Sequence, residues 1–172
     1  LDPLVFSLCE VGKLDEAETL LHQVTSAAGP EETPSLRAIA TYRLGFVAFK
    51  RGDVQRAFDC MADSYARFEQ LGDRFRILHS LNGLGAMACE LARFKEAREC
   101  FRSALDFSRR LGETSGTSIQ LNNIAQLLAT LGKYKEALEF NDRASSFALD
   151  RKILASTQTN LLTRAEILMN VG

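Results

Sequence analysis

Only three prolines occur among the 172 residues, and none lies beyond residue 34. A proline inside a helix removes a backbone hydrogen bond and clashes with the preceding turn, so from residue 35 onward long helices can form without interruption. Sustained alternation of β-branched and polar residues, the usual mark of strands, is also missing. The sequence therefore predicts an all-α protein.

Long apolar runs and an excess of one charge sign are missing too. No segment reaches about 18 uninterrupted apolar residues, and the chain does not open on a basic stretch followed by an apolar one, so neither a membrane span nor a signal peptide is predicted. The 21 basic residues nearly balance the 22 acidic ones. Because phosphate-backbone binders usually carry a basic face, we expect this segment to bind neither nucleic acid nor a membrane.

The four cysteines lack the spacing of a metal or redox site, since there is no C-x-x-C pair and no histidine at ligand spacing. They fall instead in two in-phase pairs 40 residues apart or twice that, Cys60 with Cys100 and Cys9 with Cys89. Buried cysteine behaves as a small hydrophobic residue. We expect unpaired structural thiols, no metal or other cofactor, and a reducing, cytoplasmic compartment.

Catalytic motifs are absent from the sequence as well. No Ser-His-Asp or Cys-His cluster has a plausible register. Gly132 and Lys133 look like part of a phosphate-binding loop, but Tyr134 follows where such a loop needs serine or threonine, and the upstream glycine is missing. We therefore expect no enzyme activity and interpret Gly132 as the end of a helix.

What the chain does contain is a repeat of 40 residues. The segments VGKLDEAETL, RGDVQRAFDC, LARFKEAREC and LGKYKEALEF begin at residues 11, 51, 91 and 131. Each has glycine or alanine second, an apolar residue fourth and alanine seventh, and the last are Ala17, Ala57, Ala97 and Ala137. A constant period of this size is typical of a solenoid of helix pairs.

Further turn signals lie between these segments, at GPEETP, LGDR and LGET, so each repeat should contain two helices. The small residues, among them Gly45 and Gly85, should let paired helices approach closely. The predicted helices span residues 2–11, 14–28, 35–50, 54–70, 74–91, 94–110, 114–131, 134–149 and 152–170.

We predict a single array over residues 1–172, with repeats at about 1–32, 33–73, 74–113 and 114–151 and a half repeat at 152–172. Residue 1 is leucine rather than methionine, and the last repeat is cut off halfway. On these grounds we expect the chain to be a segment of a larger protein.

The repeat resembles the tetratricopeptide repeat, in which Leu-Gly is followed by an apolar residue, a later alanine and then a bulky apolar residue. Matching residues are Leu44, Gly45, Ala48, Ala57 and Met61, and then Leu84, Gly85, Ala88, Ala97 and Phe101. The next copy, at Ile124 and Ala125, follows less strictly, with Asn141 in place of the bulky residue. The resemblance implies a right-handed α-solenoid of antiparallel helix pairs.

The period of 40 residues is longer than the usual tetratricopeptide period of about 34. It is similar to the long repeats of kinesin light chains, of Rap-type bacterial regulators and of bacterial transcription activators such as the maltose activator. HEAT and armadillo repeats have comparable periods, but the phase of Leu-Gly and alanine favours the tetratricopeptide interpretation.

The resemblance implies that the first helix of each pair lines a concave surface that binds a protein or peptide. Asparagine there could satisfy a peptide backbone with its donor and acceptor, and arginine could bind a carboxylate or phosphate. Alternatively, these asparagines face water or bond a neighbouring helix. The candidate partner-binding residues are Tyr42, Arg43, Phe46, His79, Asn82, Asn122, Asn123 and Gln126.

Three functional hypotheses follow. The first is a protein- or peptide-binding module, serving as the sensing or partner-docking region of a larger bacterial signalling or transcription regulator. The second is a self-association scaffold, in which another chain covers an open apolar face formed by Leu161, Ile167 and Leu168. The third is the regulatory part of a Rap-like phosphatase, which would need an added helical domain.

Overall fold

A computed structural model describes residues 2–27, 29, 33–150 and 154–171. Within these residues it contains nine α-helices and no strand, as the sequence predicted. The helices are α1 (Asp2–Glu10), α2 (Leu14–Ala27), α3 (Thr33–Lys50), α4 (Val54–Leu71), α5 (Arg74–Glu90), α6 (Phe94–Leu111), α7 (Thr114–Thr130), α8 (Tyr134–Asp150) and α9 (Leu154–Val171).

The predicted helix bounds differ from these by at most two residues wherever the chain is described. The predicted helix end at residue 28 and the predicted start at residue 152 lie outside the described residues. The largest difference is at α3, which begins at Thr33 rather than at residue 35. Pro34 lies in its first turn, where the N–H that proline lacks would have no intrahelical partner, so the proline is tolerated inside the helix.

The helices form two compact units, Leu1–Leu91 and Ala92–Gly172. In the first unit each of α1 to α5 packs on the next helix, and α1 also contacts α3. In the second unit each of α6 to α9 packs on the next, and α7 also contacts α9. Because the connecting turns are only a few residues long, neighbouring helices within each unit run antiparallel.

The turn after α7 shows how glycine ends a helix here. Gly132 has a φ of +71°, and the N–H of Lys133 donates to the carbonyl of Leu128 over 2.9 Å. This bond back across the left-handed residue is the Schellman arrangement, which satisfies a carbonyl at the helix end. The Lys133 ammonium lies 3.7 Å from the Glu136 carboxylate. Gly132 and Lys133 thus form the predicted helix stop.

The in-phase alanines lie where paired helices cross. Ala17, Ala57, Ala97 and Ala137 are all 0% exposed. A Cβ added to Gly45 would lie 3.2 Å from the carbonyl oxygen of Ala57, so α3 and α4 approach closely at this point, as predicted. A Cβ on Gly83 would lie 2.4 Å from the sulfur of Met61. The sequence pattern did not indicate that second close approach.

None of the four cysteines forms a disulfide. Burial raises the pKa of the Cys9, Cys60 and Cys100 thiols, as expected for cysteines that pack as small hydrophobic residues. Among the described residues, no three histidine, cysteine, aspartate or glutamate side chains come together in a way that could hold a metal ion. A search of the same residues found no helix with the length and hydropathy of a membrane span.

Candidate functional site

A cavity of about 390 Å³ lies in the first unit, between α3, the end of α4 and the start of α5. It brings together three of the residues predicted to bind a partner, Tyr42, Arg43 and His79. Its lining residues are Ile39, Tyr42, Arg43, Phe68, Asp73, Phe75, Arg76 and His79.

The α3 wall of the cavity combines a ring with a guanidinium group. Ile39, Tyr42 and Arg43 are three and four positions apart, so they share one face of the helix. The Arg43 Cζ lies 5.6 Å from the centre of the Tyr42 ring, within the range of a cation–π interaction. This contact holds a positive charge beside an aromatic face at the cavity wall.

The turn between α4 and α5 supplies a second charged pair. The Asp73 carboxylate caps α5 by accepting a hydrogen bond from the backbone N–H of Arg76 over 3.0 Å, and it also pairs with the Arg76 side chain. Burial alone would raise the pKa of Asp73, but these two hydrogen bonds outweigh it and hold the pKa below its ordinary value. The Arg76 Cζ in turn lies 5.9 Å from the ring centre of buried Phe68.

Phe75 and His79 form the α5 wall, one helical turn apart. Their ring centres are 4.6 Å apart, with an interplanar angle of 63°, which is an edge-to-face contact. Phe75 is 60% exposed, an unusual degree for a phenylalanine that contacts another ring. The cavity therefore presents accessible aromatic surface as well as charge.

Phe46, another predicted residue, does not line this cavity. Its ring stacks on that of Phe6 at 6.1 Å between centres, and the Lys50 ammonium lies 5.4 Å from the same ring. Lys50 also pairs with Glu10 over 2.8 Å. These contacts join α1 to α3. Asn82 lies about one turn beyond His79 on α5 and is partly buried.

In the second unit, Asn122 is only 3% exposed. Its Oδ1 accepts a hydrogen bond from the Nδ2 of Asn141 on α8 over 3.2 Å, and the same Nδ2 donates to the backbone carbonyl of Asn160 on α9 over 2.9 Å. The expectation that Asn122 lines an accessible surface is thus corrected. Its side chain bonds a neighbouring helix, which was the alternative left open from the sequence.

Asn141 is the residue that departed from the repeat pattern, and the network around it explains the departure. It is fully buried, and Asn160 extends the network by donating to Ser118 Oγ over 3.4 Å, while Ser118 donates to the carbonyl of Ala144 over 2.9 Å. Polar side chains from α7, α8 and α9 thus replace a layer that is apolar in the other repeats. Buried groups of this kind are stable only when they are hydrogen-bonded.

The two remaining predicted residues are accessible. Asn123 is partly buried, and Gln126 is exposed on α7. The Nε2 of Gln126 donates to the Oγ1 of Thr163 on α9 over 3.1 Å. These side chains lie on the second unit, separate from the cavity residues of the first.

A family model described as the tetratricopeptide repeat matches residues 36–110 and 76–150 of this chain. Together these matches cover more than half of the sequence. The chain belongs to the tetratricopeptide-repeat family. Proteins of this family generally mediate protein–protein interactions, and no catalytic family was matched.

Solved tetratricopeptide-like structures share the fold. The crystal structure of BtubC (BKLC) from P. vanneervenii superposes with a TM-score of 0.83 at 16% identity, over 98% of this chain and 70% of that one. A kinesin light chain-like protein of Podospora anserina, with nearly identical TPR-like repeats, gives a TM-score of 0.75 at 18% identity, over 99% of this chain and 84% of that one. A search of curated proteins found no match.

Sequence reasoning missed Asp73, Phe75, Arg76 and Phe68 as cavity residues of this tetratricopeptide-repeat chain. The predicted α5 face began at His79, although Phe75 lies four residues earlier on the same face and extends it by one turn. Asp73 carried a helix-capping signal, which concealed its place at the cavity. Phe68 follows the apolar pattern of α4, so nothing in the sequence separated it from the core.

Proposed function

We propose that this tetratricopeptide-repeat segment is a protein- or peptide-binding module and that the cavity between α3 and α5 is an anchor point for its partner. One observation carries the proposal: Tyr42, Arg43 and His79, chosen from the sequence as members of a binding face, line a single cavity. They come from the first helices of two successive pairs, which are the helices that the family resemblance assigns to the binding surface.

The chemistry of the cavity supports this function. Tyrosine and arginine are enriched among the residues that dominate protein interfaces, because each combines contact area with directional hydrogen bonding. The exposed ring of Phe75 adds apolar surface that a partner side chain could cover. We propose that Asn82, on the same helix, provides hydrogen bonds to the partner next to this anchor.

A second part of the surface belongs to the second unit. Asn123 and Gln126 are accessible there, and an amide side chain can both donate to and accept from a peptide backbone. We include these two residues in the proposed binding surface and leave out Asn122, because a partner could reach its buried amide only by displacing Asn141.

The wider setting is also a proposal. We propose that the segment serves as the sensing or docking region of a bacterial signalling or transcription regulator in the cytoplasm. The support is the resemblance of the 40-residue repeats to those of Rap-type and maltose-activator-type regulators, together with four thiols that form no disulfide and so suit a reducing compartment.

Selection from a displayed library of random peptides tests the function. Peptides are enriched on the wild-type chain and then measured on a triple variant, Tyr42→Ala, Arg43→Gln and His79→Ala. The matched control changes the same residue types outside the cavity, Tyr65→Ala, Arg98→Gln and His22→Ala. Circular dichroism verifies that both variants keep native helicity.

We expect the cavity variant to lose at least about tenfold in affinity for the enriched peptides, since truncation of a central interface residue typically costs more than about 1 kcal/mol. The control variant should retain wild-type affinity. Equal binding by the cavity variant and the wild type would remove the cavity from the proposal.

Self-association remains the second candidate, favoured by the outward face of α9. Leu161 and Leu168 are exposed as that hypothesis requires, but Ile167 is buried, which corrects the predicted face. Leu162 and Met169, 67% and 75% exposed, lie on the same side as the first two. Light scattering over a range of concentrations tests this candidate, and a monomer at every concentration excludes it.

A further inference from the structure

The cavity between α3 and α5 has the size of a small-molecule site as well as the position of a peptide anchor. Its volume of about 390 Å³ falls within the range of about 300–1,000 Å³ that is typical of small-ligand pockets. Such pockets are mostly apolar, with a few polar groups that fix the orientation of the ligand. The lining of this cavity has that division.

Aromatic and aliphatic side chains provide the surface that would contact a flat ligand. Phe68 is 2% exposed and lies among the core residues, whereas the Phe75 ring is 60% exposed at the opening. Ile39 and Tyr42 face them from α3 as lining residues of the same cavity. A planar ring entering here can stack on or meet the edge of these rings, which are the two favourable arrangements for aromatic groups.

The charges select the sign of the ligand. Arg43 and Arg76 each carry one positive charge and Asp73 one negative charge, so the ionised lining groups sum to +1. Asp73 and Arg76 are paired with each other, and the low pKa of Asp73 keeps that pair ionised. The balance at Arg43 suits a single negative charge, because a guanidinium binds a carboxylate through two parallel N–H donors.

We propose that this cavity binds small aromatic monocarboxylates, with the ring against Phe75 and Tyr42 and the carboxylate on Arg43. Cations meet a net positive wall, and a doubly charged phosphate meets the carboxylate of Asp73 on the opposite side. This proposal goes beyond peptide binding and does not depend on it. A free aromatic acid and the carboxyl end of a peptide share this chemistry, so the experiment has to separate them.

Titration of the isotopically labelled chain with naphthalene-2-carboxylate, followed by amide NMR shifts, tests the site. The neutral naphthalene-2-carboxamide is the matched ligand, and the variants are Arg43→Gln and Phe75→Ala, with Arg98→Gln as a control outside the cavity. Phe75 is largely exposed, so its truncation should leave the fold intact. The tetrapeptide Ala-Ala-Ala-Phe with a free carboxyl end represents the peptide source.

We expect saturable shifts confined to residues 39–43 and 68–79, with a Kd of about 1 mM or below, as ordinary ligand efficiencies give for a molecule of this size. The carboxylate should bind about tenfold more tightly than the amide, since a charge-assisted hydrogen bond is at stake. Arg43→Gln should abolish that preference, and Phe75→Ala should weaken both ligands about fivefold. Arg98→Gln should change neither affinity.

Three results overturn the proposal. The first is no saturation by about 10 mM carboxylate, which is far above the expected Kd. The second is equal affinity for the carboxylate and the amide, or shifts that lie outside the cavity. The third is tighter binding of the tetrapeptide by about tenfold or more, which would assign the cavity to a peptide end. None of these results decides the display experiment, because its peptides can bind without a carboxyl end.

Discussion

The Nδ2 of Asn141 donates a hydrogen bond to the Oδ1 of Asn122 over 3.2 Å, and both side chains are buried between α7 and α8. In the two preceding copies of the repeat, the position of Asn141 is occupied by Met61 and Phe101. The amide at residue 141 therefore replaces apolar packing with a hydrogen bond. It also changes Asn122 from a candidate ligand contact into part of the interior.

We predict that Asn141→Ala lowers the free energy of unfolding by about 2 kcal/mol, because the acceptors on Asn122 and Asn160 lose their donor while they stay buried. Urea unfolding of Asn141→Ala, Asn122→Ala and the double variant measures the coupling, which we expect to be at least about 1 kcal/mol. Exposed Ser146→Ala on the same helix is the control. Additive effects at residues 122 and 141 would refute the link.

The fold follows from the sequence because the period of 40 residues repeats the helix stops and the small crossing residues together. Ala97 and Gly132 each have an in-phase counterpart, so one repeat could be used to check another. The Asn141 network has no counterpart. Its partners lie on three different helices, and which amides meet is decided by packing that spacing alone does not give.

Ala92 offers a test of the repeat phase. It has a φ of +55°, at the position where Gly12, Gly52 and Gly132 have φ between +71° and +82°. A left-handed conformation costs a residue with a Cβ about 1–2 kcal/mol, and glycine returns part of this through its greater unfolded-state entropy. We predict that Ala92→Gly raises the free energy of unfolding by about 0.5–1 kcal/mol.

The control for this prediction is Ala86→Gly, an exposed site inside α5. There the same substitution should lower the free energy of unfolding by about 1 kcal/mol, because helix propensity is lost and no strain is relieved. Opposite signs at residues 92 and 86 in chemical unfolding support the assignment. A loss of stability at both sites would contradict it.

The helix crossing at Ala97 is a second test of the fold. Ala97 is 0% exposed, so an arginine there must either bury a charge or push the neighbouring helix away. We predict that Ala97→Arg lowers the free energy of unfolding by more than about 4 kcal/mol or prevents folding. Ser103→Arg introduces the same residue at an exposed site of α6 and should change stability by less than about 0.5 kcal/mol.

Glu18 makes the stability of the first unit dependent on pH. Hydrogen bonds from Arg56, at 2.6 Å, and from Arg51 lower the pKa of Glu18 below its ordinary value of 4.5. A lowered folded-state pKa contributes stability above the unfolded pKa and loses it as pH falls through the folded value. Acid below about pH 4.5 should therefore weaken the bonds that join α2 to α4 and to the turn before it.

We predict that Glu18→Gln is less stable than the wild type by about 1 kcal/mol at pH 7, a moderate value because the pair is near the surface. The difference should shrink below pH 4.5, where the wild-type carboxylate begins to take up its proton. Thermal unfolding of both chains between pH 3 and 7 measures it, with exposed Glu99→Gln as the control. A difference that does not change over this range would reject the explanation.

The candidate site was less accessible to sequence reasoning than the fold was. Tyr42, Arg43 and His79 could be selected because they share a helical face on successive first helices. Asp73 and Phe75 could not, since the cavity depends on how the start of α5 meets α3. Helical spacing shows which residues share a face, but which residues of two helices lie opposite each other is set by the helix crossing and by side-chain size.

The central claim is that the first helices of the pairs carry the binding surface. Hydrogen–deuterium exchange of the wild-type chain, with and without a peptide from the display selection, tests it most directly. We expect slower exchange in α3 and in the first half of α5, with α2 and α4 unchanged beyond their shared contacts. Protection confined to α2 and α4, with α3 and α5 exchanging as in the free chain, would contradict the claim.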